Sequence, residues 1–308
     1  MTDTDRVLNT KVALVTGASQ GIGKGIAVEL GACGAKVYVT ARTVDRLHAT
    51  AAEINALGGK GIALPCDHRN DSEVVKVFDE IKARDGTLDI LVNNASPDFT
   101  EHIGRHLWEL PFETMGLCLD VGPRSAMVAS ALAAKLMIPC KSGLIVNVSS
   151  YDEDYLLSVA YGAAKAAIDR IARDLALELR EHHVAVVTLR PALVKTENLV
   201  AQATTMSDGR LVMQGIDLAW GEWPRFSGRA VAALAADPHV MRHTGGGFTT
   251  RALAQAYGFT DVDGSCPPYE QPKEDFIVDK EAAAFWALLT PFTAASLTAR
   301  GVKGSEAP

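Results

Sequence analysis

Short apolar runs alternate with longer amphipathic stretches as far as about residue 190. The apolar runs are rich in Val, Ile and Leu, which is typical of strands buried on both faces of a sheet. Predicted strands lie at 12–15, 37–40, 62–65, 90–92, 144–148 and 184–189. Predicted helices lie at 21–30, 44–57, 72–84 and 161–180. This alternation predicts an α/β fold with a doubly wound parallel sheet.

The chain beyond this alternation divides into two further parts. Residues 195–228 carry large apolar side chains among polar ones, which predicts a substrate lid; the alternative is a structured surface insertion. These side chains are Met206, Met213, Trp220, Trp223 and Phe226. After residue 256 the chain becomes richer in Pro, Gly and acids. We therefore expect a single domain at 1–256, which includes the lid, and a C-terminal extension at 257–308.

The sequence contains no uninterrupted apolar run of about 18 residues, so we expect no membrane-spanning helix. The nearest candidate is 282–298, which contains Pro291 and several Ala and Thr residues. We expect this stretch to pack on the protein or on a second subunit; a position on a membrane surface is the alternative.

Composition and charge narrow the classes of function. The 308-residue chain is 48% hydrophobic and 22% charged, as in soluble globular proteins. Its net charge of −7, with no basic cluster, argues against a nucleic-acid partner. The five cysteines are dispersed and form no Cys-x-x-Cys pair, which favours reduced thiols in the cytoplasm. We expect no metal site, and the acidic N-terminus does not resemble a signal peptide.

A glycine-rich turn joins the first predicted strand to the first predicted helix. Glycines let the backbone approach a pyrophosphate, and the helix N-terminus favours the negative charge. The motif therefore predicts a Rossmann-type dinucleotide site. Its candidate cofactor-binding residues are Gly17, Ser19, Gln20, Gly21, Ile22 and Gly23.

The ends of the next strands bear on the choice of cofactor. Arg42 follows the second strand, where an acid would accept hydrogen bonds from a ribose hydroxyl of NAD. A guanidinium suits a 2′-phosphate instead, so we favour NADP(H) over NAD(H); a surface Arg is the alternative. Asp67 follows the third strand and is a candidate for the adenine amine. Asn93, Asn94 and Ala95 are candidates for lining the floor under the riboses.

Tyr161 and Lys165 are four residues apart, which places them on one face of a predicted helix. A neighbouring ammonium favours the phenolate and would lower the pKa of the phenol toward neutrality. Such a pair could exchange a proton with a substrate. The spacing alone is common on ordinary helix faces, so the interpretation depends on the other motifs.

Taken together, these motifs resemble those of the short-chain dehydrogenase/reductase family over roughly residues 10–250. The matching motifs are the glycine turn at 16–23, Asn93-Asn94-Ala95, Ser149-Ser150, Tyr161-x-x-x-Lys165 and Pro191-x-x-Val194-x-Thr196. A narrower likeness is to the branch called dehydrogenase/reductase family member one. It rests on Ser227-Gly228, Ala233-Leu234-Ala235-x-Asp237-Pro238 and Tyr257-Gly258-x-x-Asp261-Val262-Asp263-Gly264.

The resemblance implies an NADPH-dependent reductase of ketones or aldehydes, on steroid-like or xenobiotic substrates. It implies Ser150, Tyr161 and Lys165 as catalytic residues, with Ser149 in reserve for Ser150. It also implies that Pro191, Val194 and Thr196 contact the cofactor, as do Tyr161 and Lys165, and that the protein is a homodimer or homotetramer. One alternative is an alcohol dehydrogenase that works mainly in the oxidative direction.

One departure from the family pattern suggests another alternative. Gly122 stands where the family usually carries an Asn that supports a proton-relay water. The second possibility is therefore an NADP(H)-binding sensor or scaffold with little turnover.

Overall fold

The computed structural model describes residues 6–99, 102, 105–150, 158–213 and 216–267. Its centre is a seven-stranded sheet in the order β3-β2-β1-β4-β5-β6-β10, with all neighbours parallel. Three short strands, β7 to β9, form a separate antiparallel sheet. The strands are β1 (Val12–Thr16), β2 (Lys36–Ala41), β3 (Lys60–Pro65), β4 (Ile90–Asn93), β5 (Gly143–Val148), β6 (Val184–Arg190), β7 (Thr204–Thr205), β8 (Leu211–Met213), β9 (Ile216–Asp217) and β10 (Gly247–Thr249).

Helices cover both faces of the large sheet. They are α1 (Gly21–Ala32), α2 (Val44–Ala56), α3 (Asp71–Asp85), α4 (Phe112–Leu119), α5 (Ser125–Met137), α6 (Val159–Leu179), α7 (Glu197–Gln202), α8 (Pro224–Ala236) and α9 (Thr250–Tyr257). One apolar layer joins the sheet to α1, α2 and α8, and the other joins it to α3, α5 and α6. The predicted doubly wound α/β fold is confirmed, with all six predicted strands.

The sequence reading missed several elements. It placed no helix at α4, α5 or α8, and it did not find β10, which is only three residues long and begins with Gly247. Such a short strand has no room to show a period, so only its pairing with β6 identifies it.

Within the part of the chain that the structure describes, one helical segment is long and apolar enough to cross a membrane. It runs from Phe112 to Cys140 and includes α4, α5 and a π-helical turn at Asp120–Arg124. Of its most apolar 18-residue stretch, 39% is buried inside the protein, and core helices of water-soluble proteins can have the same length and composition. Ala129, Ala133 and Met137 of α5 lie in the core beneath the sheet. The earlier candidate at 282–298 lies outside the described residues.

The large apolar side chains in 195–228, which we expected to belong to a substrate lid, include core residues. Phe226 is fully buried and packs edge-on against Phe259, with ring centroids 5.4 Å apart. Met213 and Trp220 are also buried. Because one face of α8 packs on α1, Phe226 is a core residue rather than part of a lid.

The start of the C-terminal extension packs on the main domain. The backbone N–H of Trp223 donates to the buried Asp261 carboxylate over 2.8 Å, and Arg229 donates to the carbonyls of Thr260 and Asp261. Residues 258–267 therefore continue the compact unit beyond the expected boundary at 256. Residues 268–308 lie outside the described part.

Candidate active site

The predicted site residues converge at the carboxyl ends of the parallel strands. The sheet order reverses between β1 and β4, where ligands of doubly wound sheets bind. Every predicted residue follows or ends a strand at this edge or begins the next helix, apart from Tyr161 and Lys165, which project from α6. The common direction of the strands thus brings together motifs that are far apart in sequence.

The glycine turn forms a narrow backbone cradle. Gly17 and Gly21 have φ of +65° and +58°, a region that residues with a Cβ seldom adopt. A Cβ on Gly17 would lie 2.8 Å from the Cα of Ala95, and a Cβ on Gly23 would overlap the amide of Asn94. Ser19, Gln20 and Ile22 are half-buried along the turn. The turn is therefore open to a ligand and closed to larger side chains.

Asn94 and Ala95 clamp this turn from the end of β4. The Asn94 side chain donates to the carbonyls of Thr16 and Gly17 over 2.9 and 3.1 Å. The backbone N–H groups of Asn94 and Ala95 both donate to the Thr16 hydroxyl over 2.9 Å. Neither residue needs to touch a ligand to shape the cradle.

The Asn93 side chain points into the protein interior. It is buried and donates to the Ser130 hydroxyl on α5 over 3.0 Å and to the side-chain oxygen of Asn147 over 2.8 Å. This differs from the floor position that we expected, since the amide links β4, β5 and α5 below the site.

The loop after β6 meets the glycine turn. Thr196 lies against Gly21, because a Cβ on Gly21 would be 3.2 Å from its Cγ2. The next residue, Glu197, accepts a hydrogen bond of 2.7 Å from the Gly21 N–H. Pro191 and Val194 belong to the same loop, and their side chains are buried. Sequence reasoning missed Glu197, which carries negative charge to the helix N-terminus.

Three arginines lie next to the cradle, at its outer end, where β2 and β3 stop and α2 begins. Arg42 is exposed directly after β2. Arg46, in the first turn of α2, donates to the Gln20 side chain. Arg69 donates through Nε to both oxygens of Asp67 over 3.1 and 2.9 Å, and this bond is the main reason why the pKa of Asp67 is lowered. The charge of Arg42 contributes to the same shift, so Arg42 and Asp67 are near neighbours.

The candidate catalytic side chains meet between the end of β5 and the start of α6. The Ser150 hydroxyl lies close enough to the Tyr161 phenol to affect its pKa, whereas Ser149 donates to the backbone carbonyl of Lys165 over 3.4 Å. The structure thus places Ser150, and not Ser149, against the phenol. Lys165 Nζ lies 5.6 Å from the centroid of the Tyr161 ring and donates to the Val148 carbonyl over 3.2 Å.

The electrostatics of this set differ from our expectation. Burial raises the pKa of the Tyr161 phenol, and the nearby Ser150 hydroxyl offsets only part of that shift. We expected Lys165 to lower this pKa, whereas the pKa is raised, and the main cause is burial of the phenol. Burial also lowers the pKa of Lys165 to about 8, with buried Asp169 opposing the shift.

A group that the sequence reading missed supports Tyr161 from the other side. Phe99 packs edge-on against the Tyr161 ring, with centroids 4.7 Å apart. Buried His102 shares a 2.6 Å hydrogen bond with the hydroxyl of Ser158, which also accepts from the Tyr161 N–H over 3.2 Å. Ser158 could have been found as the N-cap three residues before Tyr161. His102 gave no signal, because its partner lies 56 positions away.

Gly122 lies in the π-helical turn, buried opposite α6. A Cβ there would meet only Ala164 and Ile168, at 3.9 and 4.0 Å. Crowding therefore does not explain why this position is a glycine.

The residues present fit a dinucleotide. The glycine cradle accepts no Cβ at Gly17 or Gly23, which leaves backbone N–H groups to meet phosphate. The basic side chains at the outer end match a further phosphate. Among the described residues, no group of three or more His, Cys, Asp or Glu could hold a metal ion.

Comparisons with known proteins show the family of the chain. The sequence profile described as short chain dehydrogenase matches residues 11–207. Dehydrogenase/reductase SDR family member 1 of Mus musculus is 40% identical over 262 residues, which cover 82% of this chain and 84% of the mouse protein. An NADPH-dependent pterin aldehyde reductase of Arabidopsis thaliana is 31% identical over 197 residues, or 63% of this chain and 79% of that protein.

The chain is also similar to a solved structure of a short-chain oxidoreductase. The crystal structure of a metagenomic short-chain oxidoreductase in complex with NADP matches with a TM-score of 0.62 and 29% identity, covering 75% of this chain and 92% of that one. The protein described here belongs to the short-chain dehydrogenase/reductase family of oxidoreductases. The predicted family is thereby confirmed.

Proposed function

We propose that this protein binds NADP(H) and reduces the carbonyl group of a small molecule to an alcohol. The observation that carries the proposal is that Ser150 and Lys165 both lie beside Tyr161, at the edge of the sheet that holds the glycine cradle. A proton donor beside a dinucleotide cradle suits hydride transfer to a carbonyl.

The choice of NADP(H) rests on the outer end of the cradle. Arg42 and Arg46 provide guanidiniums where a 2′-phosphate would be held. The position directly after β2, where an acid would bind the ribose of NAD, is occupied by Arg42. The NADP complex of the metagenomic relative and the NADPH dependence in the name of the Arabidopsis reductase support this choice.

NADPH, when bound, supplies a hydride to the carbonyl carbon. Ser150 donates a hydrogen bond to the carbonyl oxygen, which polarises the C=O bond. The raised pKa of Tyr161 keeps the phenol protonated near neutral pH, the form that gives its proton to the developing alkoxide. Lys165, with a pKa of about 8, is mostly an ammonium at pH 7 and stabilises the phenolate left behind.

The substrate class follows from the family rather than from a described pocket. We propose a ketone or aldehyde on an apolar molecule, steroid-like or xenobiotic. The aldehyde reductase among the relatives supports carbonyl reduction. Phe99 beside Tyr161 gives the reaction site one apolar wall.

We further propose a homodimer or homotetramer in the cytoplasm. Helices α4, α5 and α6, which flank the site, expose large apolar side chains that a second copy would cover. These are Phe112, Leu119, Met127, Val159 and Leu177. All five cysteines are free, in keeping with a reducing compartment.

The test is NADPH oxidation against a panel of ketones, aldehydes, quinones and steroid carbonyls, with NADH in parallel. Tyr161→Phe should lower turnover by about a hundredfold or more, because it removes the acid. Tyr257→Phe is the matched control. It removes a 2.6 Å hydrogen bond to Asp237, the C-cap of α8, and should leave turnover unchanged. A loss of less than tenfold in Tyr161→Phe would refute the assigned role. Tight NADPH binding without turnover would instead favour a sensor or scaffold marked by Gly122.

A further inference from the structure

A short backbone bridge holds the loop 191–196 that follows β6. The N–H of Glu222 donates to the Leu193 carbonyl and the N–H of Lys195 donates to the Glu222 carbonyl, both over 2.8 Å. Val194 and Glu222 form an isolated parallel bridge between these bonds. A Cβ on Gly221 would lie 2.9 Å from the Leu193 carbonyl, so the two segments are in close contact. The loop is therefore attached to residues 221–222 through its main chain.

The side chain of Glu222 adds a second attachment. Its carboxylate is 1% exposed and accepts from the Thr250 hydroxyl, from the Ser227 hydroxyl over 2.9 Å and from the Ala192 N–H over 3.4 Å. Thr250 begins α9 and Ser227 lies in α8. One carboxylate thus ties the loop to two helices of the domain.

The carboxylate is unusual because none of these partners is a cation. Asp261 and Lys195 are the charged groups near enough to act on it. The Lys195 ammonium lies 4.6 Å from the ring of Trp223. Burial raises the pKa of Glu222 to about 7. A buried carboxyl that has hydrogen-bond donors but no cationic partner is still costly, which points to a function that apolar packing would not serve.

We propose that Glu222 is a positioning residue that holds the loop 191–196 in the shape that receives the dinucleotide. The inference rests on the proposed function, because Thr196 of this loop lies against Gly21 of the glycine cradle. Glu222 does not itself reach the cradle: it acts through the Ala192 and Lys195 amides and thereby sets where Thr196 lies.

The first measurement follows hydrogen exchange of the Ala192 and Lys195 amides without cofactor. In Glu222→Ala these amides should exchange about tenfold faster or more. The Ala192 amide loses its acceptor, and the Lys195 amide bonds to a backbone carbonyl that the Glu222 side chain no longer anchors. Glu222→Gln keeps an acceptor and should stay within about threefold of the wild type. Thr250→Val removes one partner of the carboxylate and should speed exchange as well, which provides a second variant if Glu222→Ala fails to fold.

The second measurement is NADPH affinity of the folded proteins by fluorescence titration. Glu222→Ala should raise the Kd about tenfold, and the KM for NADPH with it, while kcat changes little because the catalytic groups are elsewhere. Glu222→Gln should restore most of the affinity.

Glu29→Ala is the matched control. Glu29 is another buried carboxylate, which pairs with Arg225 over 2.7 Å between α1 and α8. Its loss should lower thermal stability without changing the exchange of the loop amides or the Kd.

Unchanged amide exchange and unchanged Kd in folded Glu222→Ala or Thr250→Val would overturn the positioning role. A wild-type chain that binds no NADPH would contradict the proposed function instead, and amide exchange would still decide whether Glu222 holds the loop.

Discussion

The carboxylate of Glu197 accepts a 2.7 Å hydrogen bond from the backbone N–H of Gly21, the first residue of α1. A helix N-terminus attracts anions, and in a dinucleotide fold this position belongs to the pyrophosphate. An exposed side chain of the protein thus holds the place that the cofactor's phosphates would approach. Lys24, whose Nζ is 3.9 Å from the second Glu197 oxygen, balances part of this charge.

Removing this charge should strengthen cofactor binding. In Glu197→Gln we expect the Kd for NADPH to fall about two- to fivefold, which corresponds to the usual effect of one charge at a helix N-terminus. Isothermal titration at low salt measures the change. Glu181→Gln, an exposed charge removed at the opposite end of β6, is the control and should have no effect. Weaker binding in Glu197→Gln would mean that the carboxylate supports the site.

Arg42 should decide between the two nicotinamide cofactors. Arg42→Ala removes the guanidinium after β2 and should raise the Kd for NADPH by about tenfold or more, the cost of a charge-assisted contact. The Kd for NADH should stay within about threefold. Arg84→Ala is the control, because Arg84 is an exposed arginine in the last turn of α3 that pairs with Glu80. An equal loss for both cofactors would contradict recognition of the 2′-phosphate.

Glu222 should make stability depend on pH in a defined direction. Its pKa rises from 4.5 to about 7, so the folded protein favours the neutral carboxyl. The stabilisation is fully present below about pH 4.5 and is lost as pH rises through about 7. Relative to Glu222→Gln, the wild type should lose roughly 3 kcal/mol of unfolding free energy between pH 5 and 8. Urea denaturation of both proteins measures this difference, and parallel pH curves would contradict the shift.

Gly122 should tolerate a methyl group. Its position is helical and a Cβ would find ordinary contacts at 3.9 and 4.0 Å, so Gly122→Ala should raise the unfolding free energy by about 0.5–1 kcal/mol. Gly61→Ala is the contrast, because its Cβ would overlap the carbonyl of Ala51 and should destabilise the protein. A destabilised Gly122→Ala variant would show that the π-helical turn requires glycine.

Several parts of the fold and the site could be predicted from the sequence. Buried parallel strands are continuous apolar runs, so all six strands that were predicted exist, whereas the three-residue β10 lacked any period. The motif residues Gly17, Thr196 and Ser150 come together because parallel strands end at one edge of the sheet.

The sequence by itself determined the α/β order and the glycine cradle, since these depend on local period and spacing. Its resemblance to a family supplied the candidate Ser–Tyr–Lys set. Only the tertiary structure decided what each buried group faces. Phe226 entered the core rather than a pocket, and Asn93 turned inward to Ser130. Burial raised the pKa of Tyr161 although a lysine lies one turn away. Glu222 became an anchor through Thr250, 28 positions along the chain. Burial and contact are sums over residues distant in sequence, so no local pattern contains them.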